Sequence, residues 1–181
     1  MITISAPFDN TISQEFYDSF IDSLLLDQIP CPCCGHHGCL VFWGTYKRHL
    51  KAEGHDIILS IQRVLCKECS SDVHKRTHAL MLSGVVPYSQ VPLVDQVDII
   101  TASENNDKAA LESVLEHNLL LDMNYVYRLL TLYRLFFLER IISERLSLRP
   151  YDTLCQSCFS LFRRQFMQIK KIPNSYFRPP T

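Results

Sequence analysis

The sequence predicts an α+β chain: a short three-stranded sheet bracketed by two cysteine pairs, an amphipathic helix ahead of it and a helical region behind. Three observations carry this reading. Cys31-Pro32-Cys33-Cys34-Gly35 and Cys66-Lys67-Glu68-Cys69 each contain a Cys-x2-Cys. The residues between them are rich in β-branched and aromatic side chains. Beyond Pro92 the apolar residues recur at helical spacing.

Taken in order, Ser13 to Ile29 reads as a short amphipathic helix with Phe16, Phe20, Leu24 and Leu25 on one face, and Pro30 ends it. Leu40 to Leu50 reads as a strand, Ala52-Glu53-Gly54-His55 as a turn, and Ile57 to Leu65 as a second strand entering Cys66. Thr77 to Leu82 supplies a third. Leu93 to Ala102 and Asp107 to His117 then read as helices. A longer one runs from the N-cap Asp122 to about Leu146, with Val126, Leu130, Tyr133 and Phe137 as its apolar positions. These elements divide the chain into an N-terminal helix (1–29), a ribbon (30–92), a helical region (93–148) and a basic, partly irregular end (149–181), whose last proline-rich residues are expected to fray.

The two cysteine pairs have the spacing of a metal site. A tetrahedral Zn2+ centre needs four ligands at about 2.0 to 2.3 Å, and two tight turns that each deliver two sulfurs meet that need. Cys31, Cys34, Cys66 and Cys69 are the predicted ligands, closed around a structural Zn2+ that supplies most of the folding free energy of so small a ribbon. The competing reading is free thiols or disulfides. It is disfavoured because the start of the chain lacks the pattern of a secretory leader and the chain lacks an uncharged apolar run of membrane-spanning length, so a cytoplasmic protein is expected. Cys33, Cys39, His36 and His37 lie beside the first pair as alternative ligands or bystanders. Cys155-Gln156-Ser157-Cys158 is a third Cys-x2-Cys, read either as two buried thiols or as part of a second site.

The formal net charge of −1 conceals an uneven distribution. Residues 1–30 carry five acids and no Lys or Arg, whereas residues 40–80 carry seven basic residues against four acids. Residues 81–127 hold seven acids against Lys108, and the remainder holds ten basic residues against three acids. Such blocks either pack against each other or present basic faces to phosphate. Lys47, Arg48, Lys51, Arg63 and Lys67 are the phosphate-contact candidates on the ribbon, with a solvated face as the alternative. Trp43 and Tyr46 beside them read as hairpin core or as stacking platforms.

The run from Cys31 to about Gln90 resembles a transposase-like zinc-ribbon family, found in uncharacterised bacterial proteins and at the N-termini of some insertion-sequence transposases. The residues that carry the resemblance are the Cys-Pro-x-Cys-Gly knuckle, Gly44-Thr45-Tyr46-Lys47-Arg48, Ile61 to Cys69, Thr77-His78-Ala79-Leu80 and Val86-Pro87-Tyr88-Ser89. Ser70 to Arg76 is longer than the family pattern, with Asp72, Val73 and His74 as apparent insertions. The resemblance implies DNA binding and a helix-turn-helix after the ribbon, with a plain packing bundle as the alternative. Asp122 to Leu130 is similar to the start of a recognition helix, which makes Asn124, Tyr125 and Arg128 candidate base contacts and Arg134 a phosphate contact. The preceding turn departs from the motif at Glu116 and Leu120. Leu is costly at positive φ, so Asn118 is the expected residue to take that conformation.

The resulting expectation is a non-enzymatic zinc-binding protein that binds double-stranded DNA, a stand-alone relative of a transposase recognition region. The alternative is a ribbon that binds a protein partner or a second copy of itself. H-E-x-x-H and P-loop patterns are absent, and about 90 residues after the ribbon are too few for a transposase catalytic domain.

Overall fold

A computed structural model describes residues 1–6, 12–71, 73–172 and 174–179. The apparent insertion at Asp72 lies outside the described residues. The chain is α+β, built on a five-stranded sheet in the order β2-β3-β4-β1-β5. Strand β1 is Ile2–Ile4, β2 Leu40–Ala52, β3 His55–Cys66, β4 Thr77–Leu82 and β5 Tyr176–Arg178. The predicted hairpin and third strand form the first part of this sheet. Two further strands, drawn from the ends of the chain, extend it.

The β2-β3 hairpin is antiparallel from Leu40↔Cys66 to Ala52↔His55. A two-residue loop with both central residues at positive φ matches the twist of its strands, and Glu53 (φ 51°) and Gly54 (φ 72°) supply it. One register shift between Phe42 and Gly44 leaves Trp43 as the extra residue of a bulge. At about 3.4 Å per residue, 13-residue β2 spans roughly 40 Å and carries the chain from the cysteines to the helices.

Strand β4 changes partner along its length. Thr77 to Ala79 pair antiparallel with β3, and Leu80 to Leu82 pair parallel with β1. The edge of β3 left open by this divergence is filled by helix α1 (Gln14–Asp22), capped by Ser13. The Gln14 side-chain amide accepts from Ser60 N at 2.7 Å and donates to Ser60 O at 3.4 Å, as a paired strand residue would. The Tyr17 hydroxyl accepts from Gln62 N at 2.8 Å and donates to Leu80 O at 2.9 Å.

Helix α1 is shorter than the sequence suggests and is rotated. Tyr17 and Ile21 are its buried residues, Phe16 and Phe20 flank the core, and Leu25 is exposed. Only a single 3-10 turn, Leu26–Gln28, follows. The need to satisfy open backbone groups on β3 and β4 places Tyr17, a residue with both an apolar ring and a hydroxyl, on the inner face.

Helices α2 (Leu93–Glu104), α3 (Lys108–His117) and α4 (Met123–Tyr133) follow, with Asp107 capping α3 through Ala110 N and Asp122 capping α4 through Tyr125 N. A π-helical turn, Arg134–Leu138, joins α4 to α5 (Glu139–Ser143). Val126, Leu129, Tyr133, Phe137 and Ile141 form the buried stripe. Towards the end of the chain the described residues are more ordered than expected, while Pro173, Pro180 and Thr181 of the segment expected to fray lie outside the described residues. Tyr151–Phe162 forms helix α6, and β5 pairs with β1 instead of fraying. Between the cations of the predicted basic segment, Gln165, Phe166, Met167 and Gln168 are buried, and Phe166 packs edge-on against Tyr133 and Phe137.

Two hydrophobic clusters result, one under the sheet and α1 and one among the helices. Phe177 of β5 touches both. Helix α6 likewise serves both, giving Phe159 to the first cluster and Leu154, Cys155 and Cys158 to the second.

Candidate functional site

Each Cys-x2-Cys sits in a tight turn at the mouth of the sheet. Gly35 N bonds Cys31 O at 2.8 Å, Cys31 N bonds His36 O at 2.9 Å, and Lys67 N ties the second turn to Cys39 O at 2.9 Å. The turns aim backbone amides at sulfur: Cys33 N lies 3.4 Å from Cys31 Sγ, and Cys69 N 3.3 Å from Cys66 Sγ. Such donors stabilise thiolates.

The Sγ atoms of Cys31, Cys34, Cys66 and Cys69 all lie within 4.8 Å of one another, a group that could hold a metal ion. The Cys34–Cys66 separation is 3.8 Å and the Cys31–Cys69 separation 4.0 Å. A tetrahedral tetrathiolate centre with bonds of about 2.3 Å has sulfur–sulfur edges of about 3.8 Å, so the donor set fits. Cys31 and Cys66 are buried and Cys34 and Cys69 half-buried. Burial pushes the Cys31 and Cys69 thiols up, while the backbone amide of His36 draws Cys34 down to about 7.

Two neighbours approach the group: Cys39, which the sequence offered as an alternative ligand, and His78, which it did not. Cys39 is a fifth sulfur, 3.6 Å from Cys66 Sγ and 3.9 Å from Cys34 Sγ, but its thiol points at His36 O at 3.3 Å and burial raises it. His78 approaches from β4, with Nε2 3.7 Å from Cys31 Sγ. Burial, then the positive charges of the Met1 amino group and Arg76, lowers it to about 4, so the ring is neutral near pH 7. His36 pairs with Glu68 across the two turns at the surface. Cys155 and Cys158 are fully buried in the helical core, and burial raises both thiols.

The nucleic-acid candidates divide into three sets. Lys47 and Lys67 are exposed, and among the described residues their side chains make no hydrogen bond or ion pair. Arg48, Arg63 and Arg134 are engaged within the fold. Arg48 donates to Val86 O at 2.5 Å and Ser89 O at 2.7 Å, Arg63 bonds the Thr77 hydroxyl, and Arg134 pairs with Glu104 at 3.3 Å.

The remaining set gathers at the far end of the hairpin. Lys51, Tyr125 and Arg128 line one cleft, together with Lys170, which the sequence offered only as part of a basic run. Asn124 stays outside it, its amide 3.3 Å from Asp122 Oδ2. Tyr125 does not project outward as a base-reading residue would, because its hydroxyl is sealed from solvent.

The turn from α3 to α4 needs no left-handed residue. Asn118 has φ −122°, and Leu120 is not among the positive-φ residues. Instead, Asn118 is fully buried, and its amide donates to Lys51 O and to Asp95 Oδ2, each at 3.0 Å. Helix α2 packs against both α3 and α4.

Among the described residues no helix is long and apolar enough to cross a membrane. Residues 31–117 match a family described only as a domain of unknown function, DUF6431. No curated protein and no solved structure matches the chain.

Proposed function

We propose that Cys31, Cys34, Cys66 and Cys69 hold a structural Zn2+, and that the chain is a non-enzymatic DNA-binding protein, a stand-alone relative of a transposase recognition region. The donor set favours a structural role: four sulfurs leave no open coordination position for a substrate or water. Zn2+ would tie the two turns together at the root of the hairpin.

The observation that carries the DNA reading is the convergence of Lys51 from β2, Arg128 from α4 and Lys170 from the tail on one cleft, in a chain whose net charge is −1. Cations from three distant segments gathered in one place suit a phosphate backbone. Exposed Lys47 and Lys67 add contacts along the hairpin, and exposed Asn124 at the start of α4 is the base-contact candidate of this reading.

Fluorescence anisotropy with a labelled duplex tests this. Affinity should fall with added salt, at a log–log slope of roughly −3 or steeper if three or more phosphates are neutralised. Arg128→Gln and Lys51→Gln should each flatten the slope by about one. Failure to bind duplex at low salt would reject the DNA reading.

A second reading is a protein-interaction module. Tyr127, Leu135 and Ile142 are 64%, 70% and 66% exposed along α4, the π-helical turn and α5, an apolar surface that a partner would cover. Association that is insensitive to salt and needs no nucleic acid would favour it.

A further inference from the structure

The cleft at the end of the hairpin is more than a cluster of cations. It encloses about 650 Å³ and is floored by apolar side chains, among them Leu129, Leu132 and Met167. Tyr88 stands at its rim, 68% exposed, held at φ 64° where a residue other than glycine is strained. Lys170 Nζ lies 5.1 Å from the centroid of that ring. The Tyr125 side chain forms part of the wall, its hydroxyl shut off from solvent beside Ser89. The one carboxylate on the lining, Asp122, is occupied by Tyr125 N at 2.8 Å and the Asn124 amide.

These features select among ligands. An inorganic anion would match the cations but leave the apolar floor and the Tyr88 ring uncovered. A purely apolar ligand would leave three cations unmatched. A base-paired duplex is too wide to enter a cleft of this volume. A flat heterocycle with an attached phosphate meets both demands: ring against Tyr88 and the apolar floor, phosphate among Lys51, Arg128 and Lys170.

We propose that this cleft takes a single unpaired nucleotide of a nucleic-acid strand. The inference rests on the reading of the chain as a DNA-binding protein and names what one part of that surface recognises. Strand phosphates lie along the cationic rim, and the base leaves the stack to fill the cleft.

The test uses the zinc-loaded full chain and three labelled duplexes of one sequence: fully paired, with one extra thymidine bulged out, and with an abasic residue in the bulge. Stacking of one base on an aromatic ring supports a preference of about tenfold for the thymidine bulge over the paired duplex. The abasic bulge should lose that preference, Tyr88→Ala should shrink it, and Tyr88→Phe should keep it. Equal, salt-dependent binding of the bulged and paired duplexes would overturn the cleft proposal while leaving the DNA reading intact. Equal preference for thymidine and abasic bulges would mean that backbone flexibility is read, and would also overturn it. Failure of all three duplexes to bind at low salt would remove the DNA reading and this proposal together.

Discussion

The side-chain amide of Asn118 donates to the main-chain carbonyl of Lys51 across 3.0 Å, joining the end of the hairpin to the turn between α3 and α4. A second bond from the same amide reaches Asp95 on α2. Gly54 at the hairpin tip also lies close to the α3 end, where an added Cβ would meet His117 O at 3.8 Å. One buried side chain thus aligns sheet, α2 and α4, and with them both walls of the cleft.

Asn118→Ala should destabilise the protein by about 3 kcal/mol, because it strands a carbonyl and a largely buried carboxylate without their donor. Asn118→Asp should cost more, since it sets a second carboxylate against Asp95. Urea denaturation checks both. A change below about 0.5 kcal/mol for the alanine variant would show that water or a neighbour replaces the amide.

Tyr17→Phe keeps the ring and removes one oxygen that bonds both Gln62 N and Leu80 O. The expected cost is about 2 kcal/mol. Native-state amide exchange should locate it, with Gln62 N–H losing protection more than amides of the helical region. Uniform loss across the chain would contradict the bridging role.

Metal analysis separates ligands from neighbours. The wild-type chain should carry one Zn2+, Cys66→Ser should lose it and unfold the ribbon, and Cys39→Ser should retain it. Retention by Cys66→Ser would remove the proposed ligand set, and loss in Cys39→Ser would make that fifth sulfur a ligand. Cys155 and Cys158 should stay unreactive to thiol reagents until global unfolding, because both are buried in the helical core.

Asp122 accepts from Tyr125 N at the start of α4, and that backbone bond holds its carboxyl below the ordinary value of 3.8. The folded state therefore favours the ionised form. Its stabilisation is complete above about pH 4 and is lost as pH falls through the folded value. Asp122→Asn keeps an acceptor that does not titrate, so its acid destabilisation below about pH 4 should be shallower than that of the wild type. Parallel acid profiles would show that Asp122 does not contribute.

Local chemistry made much of the fold legible. The turn at Glu53-Gly54, the helix starts at Ser13 and Asp107, the cap at Asp122 and the strands of the ribbon follow from neighbouring residues and appear within a few positions of where the sequence places them. Strands β1 and β5 were not legible. Three-residue strands carry no periodicity, and parallel pairing joins residues as distant as Ile2 and Tyr176. Helix α6 was obscured by flanking charge and proline. Tyr17 was left off the apolar face of the predicted first helix, whose Phe16, Phe20 and Leu24 do pack against the core, because it is apolar in its ring and polar at its tip.

The candidate site divides in the same way. Two Cys-x2-Cys pairs determined which four sulfurs meet, because each turn is set by its own few residues and the strands between them run back on each other. Sequence could not say which cations remain free. Arg48, Arg63 and Arg134 read like Lys47 or Arg128, yet backbone carbonyls, a hydroxyl and a carboxylate from distant segments engage them. Nor could it foresee that Lys51, Tyr125, Arg128 and Lys170 face one cleft. That depends on how the hairpin docks on the helices, which is decided by long-range packing and by the buried amide of Asn118, a polar residue whose meaning appears only once its partners are in place.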